Sequence, residues 1–196
     1  MISEELWPKV LSPGQECFSN DVIIFTAGPV QGAPKWQARV PEIMGTQIEL
    51  LKELRELWLN DFKIADPSNY CGDFTKQVWW EYNFLERASR LGVILFWLAK
   101  PEKTTLDRAY GQTSRFELGE WVSNYEKARV RVLDSGVIKR SVQIVVGVEE
   151  GFTGANYIRE RVGGKLGPGL HIHDTLEETC FSALQIVAQR LYGENE

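Results

Sequence analysis

Val93-Ile94-Leu95-Phe96-Trp97-Leu98 is the most apolar strand candidate of the chain, and a polar loop from Lys100 to Tyr110 leads from it to Gly111-Gln112-Thr113-Ser114-Arg115-Phe116-Glu117-Leu118-Gly119-Glu120-Trp121. The second stretch opens a helix, because Phe116, Leu118, Trp121, Val122 and Tyr125 recur at spacings near three and four. A carboxylate in the first turn of such a helix sits in the positive field of the backbone N–H groups and is biased towards staying ionised. At the C-terminal edge of a parallel sheet, an ionised Glu117 is placed to act as a nucleophile. Ser114-Arg115-Phe116-Glu117 is equally S-x-x-E, a capping box in which the glutamate only bonds back to the N-cap amide. Both readings of Glu117 stand on periodicity and spacing alone.

Outward from this pair, the chain alternates strand and helix signals. Asp21-Val22-Ile23-Ile24-Phe25-Thr26 is a continuous apolar run, as expected of a central strand covered on both faces. It enters Ala27-Gly28-Pro29-Val30-Gln31-Gly32-Ala33-Pro34, whose glycines permit close backbone approach to a ligand. Residues 1 to 20 read as an irregular lead-in. A helical pattern runs from Lys35 to Leu59, with Pro41 in its first turn or at a break. Phe62-Lys63-Ile64-Ala65 is a short strand, and Asp66 to Asp73 is dense in turn formers. A helix from about Lys76 to Arg90 precedes strand 92–98. Ser141 to Val148 is a fourth strand, followed by a short helix from Ala155 to Val162. Leu170 to His173 is a last strand, and Asp174, with Glu177 three residues on, is read as the N-cap of a helix reaching Tyr192.

Strands alternating with helices imply right-handed crossovers and a parallel sheet. The expectation is a single α/β domain over 1–196, a flavodoxin-like three-layer sandwich with five parallel strands in the order 2-1-3-4-5. In that order ligands bind at the switch point beside strands 1 and 3, where the Gly28 loop and the Glu117 segment converge.

The 196 residues carry 43% hydrophobic and 25% charged side chains, enough for a sizeable core without disulfides. A net charge of −5 and the lack of a basic run argue against binding long nucleic acid. Cys17, Cys71 and Cys180 are odd in number and widely spaced, so neither a zinc knuckle nor a disulfide framework is indicated. The N-terminus lacks the pattern of a signal peptide, and no apolar run approaches a membrane span, so a soluble, cytoplasmic protein is expected. His171 and His173 fall on one side of a strand, as a metal pair would, but no third ligand is evident, and neither metal nor cofactor is expected.

Over residues 21 to 147 the chain resembles the nucleoside 2-deoxyribosyltransferase family, including its nucleotide N-glycoside hydrolase relatives. The likeness rests on the strand entering Ala27-Gly28-Pro29, the following helix, the Asp-Pro loop at 66–67, strand 92–98 and, most specifically, Phe116-Glu117-Leu118-Gly119. In that family the glutamate of Glu-Leu-Gly attacks C1′ of the sugar, so the resemblance assigns Glu117 as catalytic nucleophile in deoxyribosyl transfer or hydrolysis. The family also has an aspartate about half a dozen residues before the nucleophile. Gly111 stands six before Glu117 here, and the nearest upstream acid is Asp107.

Glu81 and Asp66 are the candidate substitutes. Gly28 and Pro29 are expected to approach the substrate, Gln31 and Gly32 to meet the sugar, and Trp36, or else Trp79 or Trp80, to stack on a base. Arg115 is a candidate for a 5′-phosphate or carboxylate through its bidentate fork. The resemblance further implies a homo-oligomer, and Asn156 is the kind of residue a neighbouring subunit inserts into such a site. The rival expectations are a non-catalytic sensor of nucleotide-like ligands on the same fold, and an interaction module with the tryptophans as anchors.

Overall fold

The computed structural model describes residues 8–50, 62–69, 72–102, 109–135, 142–165 and 167–192. Six parallel strands form one sheet: β1 (Lys9–Leu11), β2 (Val22–Ala27), β3 (Phe62–Ala65), β4 (Val93–Leu98), β5 (Ile144–Val148) and β6 (Ile172–His173), in the order β1-β3-β2-β4-β5-β6. Every residue of β2, β4 and β5 is buried, which is why these strands read as unbroken apolar runs.

The five expected strands keep the order 2-1-3-4-5, and the strand count is corrected from five to six. The additional strand, β1, lies within the segment expected to be an irregular lead-in and pairs with β3 at the sheet edge, Lys9 opposite Lys63 and Leu11 opposite Ala65. Three residues of mixed burial, set between Pro8 and Pro13, are too short for an alternation signal, and a flanking proline suits an edge strand.

Five helices accompany the sheet among the described residues: α1 (Val40–Leu50), α2 (Phe74–Leu91), α3 (Gln112–Ser135), α4 (Ala155–Ile158, continued by a π turn over Arg159–Gly163) and α5 (Leu176–Tyr192). Pro41 sits in the first turn of α1, where its missing N–H costs nothing. The expected continuation from Leu51 to Leu59 lies outside the described residues. Asp73 caps α2 by accepting from the Lys76 amide at 3.1 Å. At α5 the cap is Thr175, one residue later than expected. Its hydroxyl accepts from the Glu178 amide at 3.2 Å while the Glu178 carboxylate accepts from the Thr175 amide at 3.3 Å. Glu177 is thereby free to pair with Arg39 at 2.9 Å, joining α5 to the start of α1.

The chain leaves β2 towards β3 in one direction and thereafter steps the other way. Right-handed crossovers then put α1 on one face and α2, α3 and α4 on the opposite face. α5 packs on β4, β5 and α1, so it shares the α1 face. Close approach is bought with glycine at two places. A Cβ on Gly147 would stand 2.1 Å from Thr179 Oγ1, and one on Gly92 would stand 1.8 Å from the Ile23 carbonyl oxygen. Among the described residues no helix is long and apolar enough to cross a membrane.

Gly92 is the sharper test, because its neighbour is backbone of the central strand and cannot rotate away. Gly92→Ala is expected to destabilise the fold by about 3 kcal/mol or more, read as a fall in the urea midpoint without a change in slope.

Candidate active site

Where the chain reverses direction across the sheet, the carboxyl ends of β2 and β4 diverge and leave a crevice. It is a cavity of about 860 Å³, within the range of small-molecule sites. Phe25 and Ala27 of β2 contribute to its lining, and Gly28, Pro29, Val30 and Gln31 line it from the loop that follows. Pro67 and Ser68 come from the loop after β3, Gln77 and Glu81 from α2, and Ala109 to Ser114 with Glu117 from the start of α3.

Local sequence explains the shape of each wall. Asp66 accepts from the Ser68 amide at 2.8 Å, an Asx turn that bends the chain after β3. Gln77 and Glu81 are four apart and therefore share one face of α2. The Gln77 amide group donates to Pro67 O at 3.3 Å and to Glu81 Oε1 at 2.9 Å, which fixes the acid against the loop. Gln77 Oε1 is buried with no hydrogen-bond partner. Gly111 enters α3 with φ +64°, and its carbonyl accepts from the Arg115 amide at 3.0 Å.

Glu117 is half-buried at this cavity, one helical turn deeper than expected. Because α3 already begins at Gln112, Ser114 is a buried residue inside the helix and the capping-box reading is overturned. The helix-terminal field fades within the first turn, so it does not govern Glu117. Burial does, with the charges of Glu81 and Glu120 adding to it, and together they push the Glu117 carboxyl up to about 7. The expected bias towards ionisation is therefore reversed. Glu81 is also raised by burial, against the opposing hydrogen bond from Gln77.

Of the expected site residues, Gly28, Pro29, Gln31, Glu81 and Glu117 line the cavity together, and Gly32, Trp36, Asp66 and Arg115 do not. Trp36 is almost fully buried and donates its indole N–H to Pro29 O at 2.9 Å, so it props the loop from behind instead of stacking on a base. A Cβ on Gly28 would stand 2.8 Å from the Trp36 ring and 2.2 Å from Trp97 O, which makes glycine obligatory there. Gly32 gives its carbonyl to the Glu102 amide at 2.9 Å. Asp66 serves its turn. Arg115 folds back, donating to the Gly111 carbonyl at 3.3 Å and to that of Tyr110, with its guanidinium 5.7 Å from the Phe152 ring centre. It clamps the entrance of α3 and offers nothing to a phosphate in the cavity.

Trp80 is core, bonded to Gln15 O and stacked on Phe84, while Trp79 is exposed and lies edge-on to Tyr82. Asn156 is exposed on α4. Asp107 lies outside the described residues. Burial lowers the pKa of His173, which stands edge-on to His171 at 4.6 Å. Among the described residues no cluster of three or more His, Cys, Asp or Glu is arranged to hold a metal. Sequence reading missed Ser68, Gln77 and Thr113. The period of α2 would have found Gln77 from Glu81.

These features define a cavity lined by two half-buried carboxylates at the switch point of a parallel α/β sheet. Comparisons with protein-family models, curated proteins and solved structures find no match to this chain.

The raised carboxyl of Glu117 has a consequence for stability. It costs the fold nothing below about pH 4.5, where it is neutral in both states, and the cost grows from there until it is complete above about 7. Glu117→Gln is therefore expected to stabilise the protein by about 2 kcal/mol at pH 8 and by almost nothing at pH 4. Thermal unfolding of both proteins across that range checks the sign.

Proposed function

We propose that the chain is an N-glycosidic bond enzyme, acting on nucleosides or nucleotides through a covalent glycosyl ester on Glu117. The observation that carries this reading is the placement of Glu117 on a small-molecule-sized cavity, with a second carboxylate, Glu81, on the same lining. A carboxylate held at a cavity in low dielectric is a poorly solvated and hence reactive nucleophile once ionised. Attack at the anomeric carbon passes through an oxocarbenium-like state whose positive charge both carboxylates stabilise. Gln31, Ser68 and Thr113 supply neutral hydrogen-bonding groups suited to sugar hydroxyls. Glu81, held in place by Gln77, takes the part of the acid that the resemblance places at Gly111. Transfer and hydrolysis then differ by whether a second base or water meets the ester. A soluble homo-oligomer acting in the cytoplasm on a small-molecule substrate is the accompanying reading.

The raised pKa of Glu117 favours one rival, a sensor that keeps the ligand and does not turn it over. A protonated carboxyl is a hydrogen-bond donor, not a nucleophile, so the two readings part on pH.

Base release from a panel of nucleosides and nucleoside monophosphates, followed by chromatography, is expected to depend on an ionised Glu117. kcat/KM should rise about tenfold per pH unit below 7 and level off above it, and Glu117→Ala should lower it by about a thousandfold or more. Binding of the panel without base release by the wild type at pH 8 would instead establish the sensor.

A further inference from the structure

Resting on the N-glycosidic reading of the cavity, we infer that its substrates are cationic N-glycosides, in which the base shares a formal positive charge at the glycosidic nitrogen. An N-ribosylpyridinium and an N7-alkylated purine nucleoside are the two simplest members of that class. The inference starts from what the cavity offers. Glu117 and Glu81 are both acids, and Gln77 lines the same wall. Both N–H groups of the Gln77 amide are engaged, towards Pro67 O and Glu81 Oε1, so it brings no donor to a ligand. No Lys, Arg or His lines the cavity among the described residues, and Arg115 is turned away onto backbone carbonyls. A ligand that brings positive charge meets two acids, whereas an anionic one meets repulsion.

The same arrangement decides how the base departs. Burial raises the Glu81 carboxyl, and the hydrogen bond it accepts from Gln77 opposes that rise. The charge of Glu81 is in turn one of the causes that raise Glu117. A neutral base would need a proton from one of these acids as it leaves. A cationic base needs none. One Glu117 oxygen bonds to the anomeric carbon as the C–N bond breaks, and the bonding pair moves to the ring nitrogen and cancels its charge. The base leaves neutral. Water then adds its oxygen to the anomeric carbon, the carboxylate is restored, and one proton passes to solvent.

The test measures binding separately from chemistry. Two carbocyclic ligands, in which a methylene replaces the ring oxygen so that neither can be cleaved, are titrated calorimetrically into the wild-type protein: carbocyclic N-ribosylnicotinamide and carbocyclic inosine. The cation is expected to bind about tenfold more tightly or better at pH 8, with the preference shrinking towards pH 5.5 and on raising potassium chloride from about 0.05 to 0.5 M. Glu81→Gln should weaken the cation by about tenfold and leave inosine within about twofold. Equal or tighter binding of the inosine analogue at pH 8, or a preference untouched by both pH and Glu81→Gln, would overturn the cationic assignment while leaving the N-glycoside reading in place. Failure of both ligands to bind would overturn the two together.

Discussion

Ile24 to Ala27 lie in parallel register against Val93 to Phe96, and both strands are buried along their whole length. This pairing is the constraint from which the cavity follows. The chain departs from β2 to one side and returns through β4 on the other, so the loops leaving these two neighbours must diverge. Among the described residues the gap is lined by those loops, the loop after β3, α2 and the first turns of α3. The approach is close enough that side chains are forbidden at particular points. Gly92 lies against the Ile23 backbone and Gly28 against the Trp97 carbonyl and the Trp36 ring. Shape at the site is thus a consequence of sheet topology, held by glycine where backbones meet.

The electrostatics of the site run against the stability of the fold. Burial that places Glu117 on an enclosed surface also raises the cost of its charge, and Glu81 raises it again. A protein has no structural use for two acids that repel across a cavity, since an amide at either place would fill the same volume at lower cost. Residues that oppose folding in this way gather at sites where strain serves a reaction or a ligand. The clamp of Arg115 onto the carbonyls of Tyr110 and Gly111, with Tyr110 donating to Ala99 O at 2.8 Å, holds the start of α3 in place beside the cavity.

The strands were legible because fully buried parallel strands are written as continuous apolar runs, and β2, β4 and β5 are written so. β1 was not, since three residues carry no period. Boundaries of α3 and α5 slipped for a shared reason: Ser114 with Glu117, and Asp174 with Glu177, both match the spacing of a cap, and spacing cannot say which residue starts the helix. At α5 the neighbouring pair Thr175 and Glu178 has the same spacing and forms the box. Among site residues, those in the loop following β2 were found because topology dictates their place. Trp36 and Arg115 were misread because their direction depends on a partner elsewhere in the chain, Pro29 O for one and the Phe152 ring for the other.

The acid expected near Gly111 shows how far one position constrains another. Gly111 adopts φ +64°, a conformation that L side chains rarely take, and a Cβ there would meet the Phe152 ring at 3.1 Å and Pro29 at 3.6 Å. An aspartate at this place would strain the turn and press on the ring over which Arg115 lies. The turn therefore disfavours a carboxylate at position 111 itself. Among the described residues α2 brings a second acid to the cavity, presenting Glu81 one turn after Gln77 on the same face. An acid on a helix is held more rigidly than one on a loop, and here it is bonded to its own neighbour besides. Its carboxyl is consequently held in place before any ligand arrives, so the site does not have to order it on binding.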